Sequence, residues 1–130
     1  MQFQLLTLFI VLALFAGAQA SENELVEKWT ASMTSRFATA MRAGVSDGLY
    51  GEKFAGPDQD KLIAQISKEV VTCWANAYVR LAKKHSISLE DVFVGPDGGE
   101  IDDNMFGLEI NEETRNCGRN AFNNAGIEFD

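Results

Sequence analysis

The chain has 130 residues, with 19 acidic and 11 basic side chains, one histidine and two cysteines. Its formal charge of -8 disfavours nucleic acid and anionic membrane surfaces as partners. The lone histidine, with neither HExxH nor Cys/His ligand spacing, removes the common histidine-based catalytic and zinc systems.

Residues 1–20, MQFQLLTLFIVLALFAGAQA, carry no charged side chain and end in the small-x-small step Ala18-Gln19-Ala20. The run from Leu5 to Ala18 is shorter than the ~20 residues a membrane-spanning helix needs. The pattern therefore predicts a secretory signal peptide cleaved after Ala20, although the n-region lacks Lys and Arg. Residues 21–130 then form a single domain, secreted, or periplasmic in a bacterium, with no stable membrane insertion after cleavage. Every charge and both cysteines stay with that domain.

Ser21-x-x-Glu24 has the form of a capping box and predicts a helix start. Leu25, Trp29, Met33, Phe37 and Met41 recur every four residues, so the first helix is expected over about 22–42, with Gly44 at its stop. Residues 44–56 hold four glycines and read as a loop from which Leu49, Tyr50 and Phe54 fold back on the core. Pro57, Asp58 and Asp60 suit the first turn of a second helix. Its apolar positions Leu62, Ile66, Val70, Cys73, Ala77 and Leu81 run to Lys84, giving a helix over 58–84 as the spine of the fold. Lys83, Lys84 and His85 suit its negative end.

Between Lys84 and Arg115 there are nine acids and no Lys or Arg, which leaves ten acids against eleven bases elsewhere. The acidity is thus concentrated in one segment, 85–114, whose stretch 86–110 reads as irregular with one short helical turn capped by Ser88. Val92-Phe93-Val94, the Gly95-to-Gly99 turn and Glu100-Ile101 offer a small hairpin as the alternative. A third helix is expected over 112–125, capped by Asn111 and stopped by Gly126, with Ile127 against Phe122. Within it, Arg115 and Arg119 have Glu112 and Glu113 as ordinary ion-pair partners. The fold class is all-α: three main helices in a small bundle-like domain.

Two cysteines in an exported chain predict one disulfide, Cys73 to Cys117, with Gly118, Ala77 and Ala121 allowing the close helix approach it needs. No catalytic motif, cofactor fingerprint or metal-ligand pattern emerges, so the reading is non-enzymatic, with no cofactor. A calcium site on Asp97, Glu100, Asp102, Asp103 and Asn104 would use suitable oxygen ligands, but an EF-hand register puts Val94, Pro96 and Gly98 at ligand positions. Paired carboxylates such as Asp102 or Asp103 with Glu112 lack the sugar-stacking context of a glycosidase. The concentrated acidity instead points to a protein-binding role, with Asp97, Glu100, Asp102 and Asp103 meeting a basic partner. The alternative is a carrier of a small apolar ligand held between helices. Mass spectrometry of the exported protein should find Ser21 as its first residue; a retained Met1 or an N-terminus inside the helical face would overturn the leader assignment.

Overall fold

Twenty-six consecutive residues without glycine or proline, Gln59–Lys84, form helix α2, about 39 Å long at 1.5 Å per residue. The computed structural model describes residues 2–54, 56–94, 100–101 and 105–127, with the backbone alone for 2–21, 53 and 100. Around α2 lie helix α1 (Gln2–Ser46), a 3-10 turn (Gly51–Phe54), the single-turn helix α3 (Leu89–Val92), strands β1 (Phe93–Val94) and β2 (Glu100–Ile101), and helices α4 (Leu108–Thr114) and α5 (Cys117–Asn124). The domain is all-α, as its periodicity requires, and among the described residues no helix is long and apolar enough to cross a membrane.

Both neighbours of α2 run antiparallel to it. On one side Arg42 faces Asp60, Met41 faces Ser67, Phe37 faces Trp74 and Trp29 faces Tyr78, a descending order against an ascending one. On the other, Lys84 meets Glu109, Arg80 meets Glu113, Cys73 is bonded to Cys117 and Glu69 meets Asn124. The acidic segment therefore reverses the chain, and α4 with α5 returns along α2.

Flanked on two sides, α2 buries Ile63, Ile66, Ser67, Val70, Val71, Ala75, Ala77, Leu81 and Ala82. The burial divides into two clusters. One gathers Val71, Ala75, Leu81 and Ala82 with Trp29, Val92, Phe93 and Phe106; the other joins Ile63, Ile66 and Val70 to Ala38, Met41, Phe54, Ala121 and Ile127. Full burial of one such large apolar side chain contributes about 1.5–3 kcal/mol, against about 0–1 kcal/mol for an exposed ion pair. Packing on α2, not charge, holds the bundle. The buried Ser67 hydroxyl donates to the Ile63 carbonyl at 2.6 Å, so its burial leaves no unpaired group.

Several boundaries differ from the sequence reading. Helix α1 passes through Ala20 and Ser21 unbroken, so in the full chain Ser21 is an interior position and not a cap. It also passes Gly44: a Cβ there would lie 2.9 Å from the Tyr50 ring, so this glycine is a packing contact and not a stop. Tyr50 and Phe54 do fold back, but Leu49 is 76% exposed. The helix expected over 112–125 starts earlier, at Leu108, and is broken at Arg115-Asn116 into α4 and α5; Asn111 lies inside α4. Gly107, with φ 56, begins α4 in a conformation a capping side chain would not adopt readily.

The 86–110 segment contains both alternatives. Ser88 caps α3, its hydroxyl accepting from the Glu90 N–H at 3.3 Å, and β1 pairs antiparallel with β2 in the register Phe93 to Ile101. The hairpin survives because Phe93 is buried against Trp29 and Tyr78.

Helices α2 and α5 end in the same motif. At α5, the Gly126 N–H bonds the Asn123 carbonyl and the Ile127 N–H bonds that of Phe122, with φ 80 at Gly126 and Ile127 buried. At α2 the corresponding bonds run from Ser86 to Lys83 and from Ile87 to Ala82, with φ 54 at Ser86.

The disulfide joins α2 to the first residue of α5 with a Cα separation of 5.7 Å, inside the range such a bridge needs. Ala77 and Ala121, both buried, fit the small-residue expectation, whereas a Cβ at Gly118 would meet nothing within 4 Å, so that glycine is not required for the approach. Replacing both cysteines by serine should lower unfolding free energy by about 2–4 kcal/mol in urea titration, from the freed 44-residue loop. A loss under about 0.5 kcal/mol would show that packing alone sets the α2–α5 contact.

Candidate functional site

The same antiparallel arrangement leaves a groove where α1, α2 and α4 meet. Trp29, Met33 and Arg36 come from α1 at helical spacing, Trp74 and Tyr78 one turn apart from α2, and Ile110, Asn111 and Thr114 from α4. Ile101 of β2 and Gly107 close the end nearest the acidic segment. The groove is open along one side and encloses about 770 Å³, within the range of small-molecule sites.

Its walls are set by aromatic packing. The Trp29 ring meets Tyr78 edge-on at 6.1 Å and Phe93 at 5.6 Å; Trp74 is held edge-on by Phe37 at 5.4 Å; Tyr78 also contacts Phe106 at 6.0 Å. Such contacts fix ring orientation from both sides of the groove. The Trp29 side chain is 2% exposed, and its indole N–H has no hydrogen-bond partner among the described residues. Leaving a buried donor unpaired costs about 1–3 kcal/mol, a cost that falls behind the groove surface, where this nitrogen has almost no accessible area. Thr114 donates to the Ile110 carbonyl at 2.7 Å, which turns the remaining capacity of its hydroxyl to acceptance. Asn111 adds an exposed amide at the rim.

The α4 wall is fastened to α2 by charge. Glu109 accepts from Lys84 Nζ at 2.9 Å through one carboxylate oxygen and lies 2.9 Å from His85 Nε2 through the other. Glu113 accepts from Arg80 Nε and Nη2 at 3.2 and 3.1 Å. The His85 ring stacks on Phe106 at 6.1 Å. The hydrogen bond from Lys84, followed by the positive charges nearby, holds the Glu109 carboxyl below the usual carboxylate range despite the opposing effect of burial. The hydrogen bond to Glu109 and its charge raise Lys84 in turn. All these groups are exposed enough for solvent to screen them heavily.

This geometry revises the electrostatic reading of the sequence. Glu113 pairs with Arg80 across the helix interface rather than with Arg115, and His85 is part of a clasp as well as a helix-end charge. Two acids of the 85–114 segment thus serve internal attachment. Asp97, Asp102, Asp103 and Asn104 lie outside the described residues, as does the Glu100 side chain, so the expected partner-binding and calcium sites rest on positions the structure does not describe. Among the described residues, no three His, Cys, Asp or Glu side chains cluster as metal ligands would.

A second concavity of about 630 Å³ lies over the disulfide between α2 and α5. Its walls carry amides and charged groups and no aromatic ring, and Arg80 and Glu69 there already meet Glu113 and Asn124. Cys73, Cys117 and Ala121 are among its lining, and it offers no ring on which a flat ligand would stack. In the sequence, helical spacing alone puts Trp29, Trp74 and Tyr78 on the inward faces of α1 and α2. Spacing identifies an inward face, but whether that face is filled depends on where α4 returns.

No protein-family model, curated protein or solved structure matches this chain.

The clasp makes stability depend on pH with a defined sign. Because the folded value of Glu109 is depressed, its contribution is present above the ordinary carboxylate value and is lost as pH falls through the folded value. Because that of Lys84 is raised, its contribution is present below the ordinary lysine value and is lost as pH rises through the folded value. In thermal melts, wild type should therefore be more stable than Glu109→Gln at neutral pH, and the gap should close in acid. A gap unchanged from neutral pH to about pH 2 would remove Glu109 from the clasp.

Proposed function

We propose that this is an exported, non-enzymatic binding protein that carries a small, largely apolar ligand in the groove between α1, α2 and α4. The observation that carries the reading is the convergence of Trp29, Trp74 and Tyr78 on one groove of about 770 Å³ between three helices. The lining sets three aromatic rings and the aliphatic Met33, Ile101 and Ile110 beside the polar Arg36, Asn111 and Thr114, which favours a flat apolar body that also carries polar groups. Trp74 and Tyr78 supply the faces, Met33 and Ile110 adaptable aliphatic contact, and Asn111 and Thr114 the orienting hydrogen bonds. Export is supported by the uncharged leader and the disulfide; neither names the ligand.

Docking of a basic protein partner through Asp97, Glu100, Asp102 and Asp103 is the competing idea. The groove is preferred because aromatic rings from two helices converge there on one concavity with polar side chains beside them.

Both tryptophans of the protein, Trp29 and Trp74, line the groove, so their fluorescence reports directly on occupancy. Titration with the neutral probe N-phenyl-1-naphthylamine should give saturable energy transfer from tryptophan at one site per chain. Trp74→Ala should weaken binding about tenfold or more, as expected when most of one aromatic contact is lost. Exchanging the four acids for Asn or Gln should leave binding unchanged. Absence of saturation, or an equal loss in the acid variant, would refute the groove as the site.

A further inference from the structure

Helix α4 forms one wall of the groove but has no fully buried residue of its own. Ile110 and Thr114 are half-buried, and its other five residues, Leu108 foremost at 81% exposed, include the two carboxylates that hold it to α2. The anchors lie just beyond its ends. Phe106, 6% exposed, packs among Tyr78 and His85 before α4, and Cys117 is covalently tied to Cys73 after it. Between these points the seven-residue helix is held by the packing of one aliphatic side chain, Ile110, and by three exposed contacts: Lys84 and His85 to Glu109, and Arg80 to Glu113. The breaks on either side, at Gly107 with φ 56 and at Arg115-Asn116, make it a separate segment and not the start of α5.

We infer that α4 is a salt-sensitive gate on the groove, latched to α2 by the ion pairs of Glu109 and Glu113 and swinging between the anchors at Phe106 and Cys117. The inference rests on the groove being the ligand site. Opening α4 withdraws Ile110, Asn111 and Thr114 together, and so removes one wall while Trp29, Trp74 and Tyr78 stay fixed by α1, α2 and β1. Apolar packing, which salt does not weaken, holds those rings; the latch is exposed and is screened once the Debye length falls below the spacing of its charges. The charged groups that face one another across the joint are Arg80, Lys84 and His85 from α2 and Glu109, Glu112 and Glu113 from α4. Cations lie on one side and carboxylates on the other, so screening loosens the joint and cannot tighten it.

Hydrogen exchange and stopped-flow binding on the oxidised, exported protein test the gate. In Glu109→Gln/Glu113→Gln, and separately in Arg80→Gln/Lys84→Gln, amides of 108–114 should exchange about two- to fivefold faster than in wild type, while those of 63–82 stay unchanged. Association and dissociation of N-phenyl-1-naphthylamine should both quicken by about the same factor, and added salt should reproduce the effect in wild type but not in the variants. Unchanged exchange with probe binding intact overturns the gate alone. Faster exchange with unaltered probe kinetics overturns its control of the groove, and failure of wild type to bind the probe overturns the groove and the gate together.

Discussion

Burial of α2 on two sides is the constraint from which the other features follow. A helix packed against one neighbour needs an apolar stripe; α2 is packed against α1 on one flank and α4–α5 on the other, and nine of its residues are buried. Both neighbours run antiparallel to α2, the disulfide ties the α2–α5 flank, and a groove is left at the level where α4 is too short and too polar to complete the wall. The groove is thus a product of uneven coverage along one helix.

The two flanks are held by different forces. Against α1, α2 sets ring upon ring and aliphatic upon aliphatic, from Trp29 and Tyr78 to Met41 and Ile66. Against α4, it sets cations on carboxylates beside the single aliphatic contact of Ile110, and fuller packing resumes at α5, with Ala121 and the disulfide. Excess acidity in this chain is often read as a property of the surface facing outward. Here part of it faces inward, towards a row of bases on α2 that sequence distance concealed: Arg80 and Glu113 are 33 residues apart.

What the sequence made legible was whatever depends on near neighbours along the chain. The four-residue recurrence from Leu25 to Met41 and the uninterrupted stretch to Lys84 identified α1 and α2, and Gly126 marked the end of α5 with the Ile127 return beside Phe122. Features that depend on a distant contact were not legible. Gly44 reads as a stop until the Tyr50 ring is seen against it, and the helix over 112–125 reads as continuous until the disulfide and the ion pairs pull on its two halves separately. The hairpin at Phe93 and Ile101 was undecided for the same reason, since its support comes from Trp29 on another helix. For the candidate site, the aromatic residues were recognised but their role was not. A heptad-like face does not say which part of it remains uncovered.

The turn after α2 uses a serine where the equivalent turn after α5 uses glycine, and Ser86 holds φ 54 on the exposed surface. Substitution tolerance at this position is therefore set by backbone shape and not by contact. Glycine, asparagine or aspartate can replace it at little cost, whereas a β-branched residue would have to unwind the turn that swings Ile87 and α3 under Trp29. Solvent exposure is a poor guide to substitution tolerance here: an exposed residue is restricted in kind by the turn it holds.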